Sequence, residues 1–309
     1  MTSTSSGGAS SLVEPERDYP LASLTTVRAG GAAELFARAG SVEELLELLR
    51  FAREQGHQPA VIGSGSNLLV ADEGVRGLVI RLDGGLARIE AASGGLHCGG
   101  GARMPSAAAR AAALGLSGIE FAVNIPGTVG GAVRMNANAY DGALASVLAW
   151  VEVATADGLT RRPPKALGFA YRSSALRSGE VVSAARFALR ESSPAAVKET
   201  LAGMRERRHA AQPKGIKTFG STFKNPPGET AGQLLAAAGA AGLRVGAARL
   251  SPKHANFVEN LGGASTAEIV ALMAAARERV LEHAGIALER EVQALGPVQF
   301  PWEKPELPE

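Results

Sequence analysis

The chain has 309 residues, 46% of them hydrophobic, and a formal net charge of +2. That length suits about two domains, with room for three, and a charge so near zero, with no basic stripe interleaved with aromatics, argues against a nucleic-acid partner. No apolar run approaches the ~20 residues that span a bilayer, and a single cysteine, Cys98, excludes an internal disulfide and a cysteine metal cluster.

The chain opens with MTSTSSGGASSL, which lacks the basic and apolar blocks of a signal peptide. Residues 1–18 therefore read as a disordered tail, and the protein as cytoplasmic with no membrane partner. Ser41 and Glu44 form a capping box that starts a helix with Val42, Leu45, Leu46, Leu48, Leu49 and Ala52 on its apolar side. Gly56 is its expected stop. A short strand at 59–62 runs into Gly63-Ser64-Gly65-Ser66-Asn67, and a further strand is expected at 78–82. Gly63 and Gly65 invite a dinucleotide-binding reading, but Leu68 stands at the third glycine position and no helix pattern follows. A nicotinamide site of the Rossmann kind is therefore not expected.

Strands at 86–91 and 96–99 flank Ser93-Gly94-Gly95 as a hairpin. Cys98, among small and apolar neighbours, reads as a buried structural thiol. An alanine-rich helix is expected at 104–114 with Pro105 in its first turn. The stretch 118–140, GIEFAVNIPGTVGGAVRMNANAY, is rich in glycine yet apolar. Too apolar for a surface loop and too rich in glycine and proline for a buried strand, it reads as a loop packed inside the protein. Buried amides need acceptors, and a diphosphate supplies several. Downstream, strands are expected at 147–155 and 181–189, with a turn at Asp157-Gly158, then a helix at 194–208. A third region follows 212–213. Thr230 with Gln233 and Ser265 with Glu268 make two more capping boxes, each opening a helix, with strands at 243–250, 255–258 and 286–292. The proline-rich end, 297–309, is expected to be irregular.

Two glycine-rich loops in separate parts of one chain suggest two halves closing on one nucleotide. GSGSNLLVADEG and GLSGIEFAVNIPGTVGGAVRMNANAY resemble the flavin-cradling segments of the UDP-N-acetylenolpyruvoylglucosamine reductases. FAYRSS at 169–174, GSTFKNP at 220–226, SPKHANFVEN at 251–260 and LEREV at 288–292 continue the likeness in the family's order, over about residues 20–296. The resemblance implies an α+β protein, with a two-part FAD-binding module of the vanillyl-alcohol-oxidase type and a C-terminal α/β substrate-binding domain. The corresponding boundaries are 19–85, 86–205 and 206–296. Non-covalent FAD would lie on Gly63, Ser64, Gly65, Ser66, Asn67 and Leu68 of the first loop. In the second loop it would lie on Ile125, Pro126, Gly127, Thr128, Gly130, Gly131 and Ala132. NADPH would be the reductant, a UDP-sugar enolpyruvyl ether the substrate, and the protein a monomer.

The same likeness places the family's catalytic arginine at Arg172, its proton-donating serine at Ser221 and its glutamate at Glu291. Choosing Glu291 over Glu289 rests on its standing directly before Val292. Tyr171, Lys224 and Asn225 are matched to substrate contacts. His254 in KHANF sits near neutral pKa, but the family chemistry does not use it. Asp72 and Glu73 lack partners at metal-ligand spacing, so no metal is invoked. No tyrosine follows Tyr171, so the tyrosine-bearing lid of some family members has no counterpart, and the chain resembles the shorter subtype. Two rivals remain. A sugar or alcohol oxidase on the same scaffold often holds FAD covalently through a His in the first loop, where this chain has none. A regulator without activity would be expected to have lost Arg172, Ser221 or Glu291.

Overall fold

A computed structural model describes residues 13–303, apart from 141 and 214. The segment 1–12, expected as a tail, lies outside those residues. The first module holds strands β1 (Glu16–Pro20) and β2 (Ala32–Ala39), helix α1 (Val42–Glu54), and strands β3 (Ala60–Val61), β4 (Leu68–Val70) and β5 (Val75–Leu82). β1, β2, β5 and β3 lie in that order in one sheet, parallel except for β1. Residues 16–18 are thus strand rather than tail. Tyr19, whose ring stacks on Phe36 with centroids 4.0 Å apart, anchors a segment whose polar start hid it. α1 starts at Ser41, whose hydroxyl accepts from the Glu44 amide. The Glu44 carboxylate reaches back to the Gly40 amide, one residue before the partner a capping box would use. Leu45, Leu48, Leu49 and Ala52 are buried against Leu78 and Ile80 of the sheet. After the first glycine loop the chain enters β4 and forms no helix.

The second module holds the hairpin β6 (Ile89–Ala92) and β7 (Gly95–Gly99), helices α2 (Met104–Ala113) and α3 (Val129–Arg134), strands β8 (Leu148–Thr155), β9 (Gly158–Arg162) and β10 (Val181–Ala188), and helix α4 (Pro194–Ala211). Its antiparallel sheet runs β9-β8-β10-β7-β6. Cys98 is fully buried on β7, and burial pushes its thiol up to about 12, which leaves it inert. The stretch 118–140 is not loop throughout. It contains a single-turn 3-10 helix at Glu120–Asn124 and then α3, capped by the Thr128 hydroxyl. Gly130 and Gly131 disfavour a helix by intrinsic propensity. Burial of Val129, Ala132 and Val133 against the sheet outweighs that preference.

The third module holds α5 (Ala231–Ala237), β11 (Arg244–Val245), β12 (Ala248–Leu250), β13 (Val258–Asn260), α6 (Thr266–Ala284) and β14 (Gln293–Leu295). α6 has the full capping box, and Gly285 ends it in the left-handed region at φ 68°. The Thr230 box does not form. Asn225 Oδ1 accepts from the Ala231 amide at 3.0 Å, while the Thr230 hydroxyl donates to Gln233 Oε1. The strand expected at 243–250 is divided by a turn at Gly246. The strand expected at 286–292 is displaced to β14, which pairs in parallel with β4 of the first module. Val27, Ala29 and Leu69 of the first module are buried in the core of the third. Residues 297–303 form neither helix nor strand, but Phe300 is buried and Glu303 meets Arg290 at 2.7 Å.

Candidate active site

Where the three modules meet, two cavities of about 620 and 490 Å³ share Val61, Gly63, Ser64, Leu68, Thr128 and Gly131, and so form one long cleft. Every residue that the sequence assigned to flavin contact lines it: Gly130 in the smaller lobe, the other twelve in the larger. The loops touch because Gly63 has no side chain. A Cβ there would lie 2.4 Å from the Thr128 hydroxyl oxygen. Gly131 differs, since a Cβ would meet nothing nearer than the same oxygen at 3.6 Å. Its missing side chain leaves open space in the cleft.

The residues fit a flavin dinucleotide. The Ser64 hydroxyl is buried between the two lobes without a hydrogen-bond partner, and an orphaned donor of that kind calls for a ligand acceptor. The smaller lobe adds Arg81 and Arg103, cations suited to a phosphate-bearing group. Its floor includes Gly100, whose Cβ would lie 1.9 Å from the Val182 carbonyl oxygen. The run Gly99-Gly100-Gly101 is a sequence signal for this third wall that was read only as a strand end.

The reacting end lies in the larger lobe. Residues 220–224 and 289–292 run side by side. The Glu291 amide donates to the Thr222 carbonyl at 2.8 Å, and the Lys224 amide to the Glu289 carbonyl at 2.8 Å. Asn256 fixes that pairing from the other flank, its side-chain amide bonding both the N–H and the C=O of Phe223 at 2.9 and 2.8 Å. Ser221 and Glu291 thereby both reach the larger lobe. Asn67 of the first glycine loop donates to the Glu291 carbonyl at 3.2 Å, which ties the flavin wall to the same segment.

Arg172 arrives from the second module. Its Nε donates to Glu291 Oε1 at 2.6 Å, with both side chains largely shielded from solvent. Glu289 faces away to an ion pair with Lys224 at 3.1 Å, so the carboxylate against Arg172 is that of Glu291. Arg172 holds φ 57°, as do Asn136 at 41° and Tyr140 at 50° nearby. A non-glycine residue in that region costs of order 1–3 kcal/mol, a strain that clusters at functional sites. Burial pushes the Glu291 carboxyl above its usual range, and the charges of Arg172 and Lys224 offset only part of that rise.

The raised value has a measurable sign. The folded protein holds the Glu291 proton more tightly than the unfolded chain, so this group favours the fold below the ordinary carboxylate range. That contribution is lost as pH rises through the raised value. Glu291→Gln is expected to melt above the parent near pH ~8, with the gap closing toward pH ~4 where an ordinary carboxyl is protonated. A gap that ignores pH would show that Glu291 is not held in its neutral form.

Other expected residues are placed differently. Ser221 lines the cleft, and its hydroxyl has no partner among the described residues. Tyr171 is 46% exposed, with Arg172 against its ring at 5.1 Å, and it lies outside the cleft lining. Lys224 and Asn225 do not line the cleft either. They are engaged by Glu289 and by the start of α5. His254 stands edge-on to Phe257, half-buried and pushed below its usual range by that burial. Residues the sequence did not single out include Asn138, which accepts from Arg172 Nη1. Arg208 donates to the Asn124 carbonyl, and Arg207 lies 5.0 Å from the ring of Tyr140. Among the described residues no cluster of three His, Cys, Asp or Glu side chains is placed to hold a metal, and no helix is long and apolar enough to cross a membrane.

Two family models match this chain: an FAD binding domain over residues 33–162, and the C-terminal domain of UDP-N-acetylenolpyruvoylglucosamine reductase over residues 212–295. A relative named UDP-N-acetylenolpyruvoylglucosamine reductase, from Anaeromyxobacter dehalogenans, is 48% identical over 92% of this chain and 86% of its own. Another from Symbiobacterium thermophilum is 44% identical over 94% of each. The crystal structure of a UDP-N-acetylenolpyruvylglucosamine reductase from Thermus caldophilus superposes with a TM-score of 0.80. At 38% identity, it covers 92% of this chain and 99% of its own.

Proposed function

The chain belongs to the UDP-N-acetylenolpyruvoylglucosamine reductase family, and on that premise we propose how its own residues carry the activity. It reduces the enolpyruvyl ether of a UDP-amino sugar in peptidoglycan precursor synthesis, with FAD as cofactor and NADPH as reductant. The observation that carries the assignment of roles is the convergence of Arg172, Ser221 and Glu291, from separate segments, on one end of the glycine-lined cleft.

The loops 63–68 and 125–132 would hold FAD, whose chemistry would be to relay hydride from NADPH to the substrate's terminal vinyl carbon. Adding hydride there sends the double-bond electrons into the carboxylate, which gains charge. Arg172 has its Nε on Glu291 and its Nη1 on Asn138, while Nη2 has no partner among the described residues. Those free donors suit a carboxylate whose charge is growing. A neutral Glu291 accepts from Arg172 and offers its own proton to the same carboxylate, so that the added charge is shared between two donors. The unpartnered Ser221 hydroxyl delivers a proton to the carbon bearing the ether oxygen and completes the lactyl ether. Lys224 and Asn225 would exchange their present partners for the nucleotide, and Tyr171, against Arg172, would meet the substrate from outside the present cleft lining. These groups act on a small molecule, the UDP-sugar enolpyruvyl ether. A UDP-sugar substrate supports a cytoplasmic location.

The test uses the purified yellow protein under anaerobic conditions. One equivalent of NADPH should bleach the flavin, and the enolpyruvyl nucleotide should restore its colour while a lactyl ether accumulates. Acid should release the flavin to the supernatant. A bleached flavin that only oxygen can reoxidise would point instead to an oxidase on this scaffold.

A further inference from the structure

The short segment after α3 and the turn that carries Arg172 are joined residue by residue. The Ser174 hydroxyl donates to the Arg134 carbonyl at 2.8 Å, and Asn136 Nδ2 donates to the Ala170 carbonyl at 3.1 Å. Arg172 Nη1 donates to Asn138 Oδ1. Residues 134, 136 and 138 thus each take one tie, the first through its backbone carbonyl at the end of α3 and the other two through their side chains. Asn138 is itself fixed, because the Asn138–Ala139 pair bridges back to Gly142–Ala143. The Arg172 turn closes on itself through paired backbone bonds between Ala170 and Ser173. The strain at Asn136, Tyr140 and Arg172 falls on these same two segments.

Glu291 alone cannot set the guanidinium. A single bond at Nε leaves the group free to rock about that contact, and with it the direction of the Nη donors. A second acceptor at Nη1 removes the freedom. We infer that Asn138 is a positioning residue that fixes the orientation of the Arg172 fork and leaves Nη2 for the substrate carboxylate; this rests on the reading of Arg172 as the carboxylate's partner. Asn138 lines the larger lobe, so it acts at the cleft wall rather than in the core. It also links the flavin-binding half to the reacting end. The segment that begins with the glycines of α3 ends on the residue that aims Arg172.

The test compares Asn138→Ala and Asn138→Leu in the flavin-loaded protein by anaerobic stopped-flow. The first opens space and the second fills it, so they share only the loss of the acceptor. Both should bleach with NADPH at the parental rate and reoxidise with the enolpyruvyl nucleotide ~10–100-fold more slowly, since a small misplacement of a reacting group can cost about that much. Arg172→Ala should slow the same phase, and adding Asn138→Ala to it should cost nothing more, because the effect passes through Arg172. A purely structural asparagine would give additive losses and slow both phases alike. If Arg172→Ala slows reoxidation and Asn138→Ala does not, or their losses add, Asn138 does not position the fork. If Arg172→Ala leaves reoxidation at the parental rate, the role given to Arg172 fails and this inference fails with it.

Discussion

Replacing Ser221 with alanine is expected to leave the bleaching of the flavin by NADPH near the parental rate and to slow its reoxidation by the enolpyruvyl nucleotide ~10²–10⁴-fold, the usual contribution of a positioned proton donor. The two halves separate because hydride transfer to the flavin needs no proton on substrate carbon. Structure makes the substitution clean. The Ser221 hydroxyl bonds nothing among the described residues, so its loss leaves no orphaned partner, and the pairing of the 220–224 and 289–292 segments runs through backbone groups and Asn256. Ser221→Cys should recover part of the rate, since a thiol also donates a proton and is more acidic than an alcohol. Equal slowing of both halves, or of neither, would make Ser221 a turn residue.

The second large effect concerns Gly131. Gly131→Val is expected to fold and to bind no FAD. Its new Cβ meets only the Thr128 hydroxyl oxygen at an ordinary 3.6 Å, and its methyl groups enter space shared by both lobes. Its position in the first turn of α3 tolerates valine, and leaving glycine slightly favours the helix. The apoprotein should therefore melt at or above the parental apoprotein while the purified variant stays colourless. Gly130→Val offers the contrast. Its Cβ would lie 3.1 Å from the Gly100 carbonyl oxygen and 3.4 Å from that of Val182, so it should damage packing as well. Full flavin occupancy in a folded Gly131→Val protein would show that this wall does not touch the cofactor.

What could be read from the sequence was what short-range chemistry decides. The α6 capping box needs only Ser265 and Glu268 three residues apart, and it forms as expected. The Thr230 box has the same spacing, but Asn225 Oδ1 reaches the Ala231 amide from outside the pattern and takes the helix end. A strand is expected at 286–292, after the helix that Gly285 ends. The structure uses those residues instead as a bridge to 222–224 and puts the strand at 293–295, because β4 lies there to receive it. α3 was hidden by two glycines needed for the cleft rather than for the helix. The loops that frame the cleft were legible because each is local. The hydrogen bond between Arg172 and Glu291 spans 119 residues, and only the family likeness pointed to both members. Asn138 was out of reach altogether, since its partner is visible only once the chain has folded.

The pairing of β14 with β4 has a consequence for how the protein is made. Residues 293–295 are made long after β4, yet they flank the strand that follows the first glycine loop, and the Ala71 amide donates to the Leu295 carbonyl. Until they emerge, β4 is an unpaired edge and Val27, Ala29 and Leu69 lack the partners that bury them. Vectorial synthesis therefore produces both flavin-binding halves before the first of them can be finished. Cofactor loading then waits for β14: nascent chains stalled short of residue 293 should hold no flavin, and chains extended until β14 has left the ribosome should acquire it. A stalled chain that binds flavin would mean that the glycine loops mature without their C-terminal neighbour.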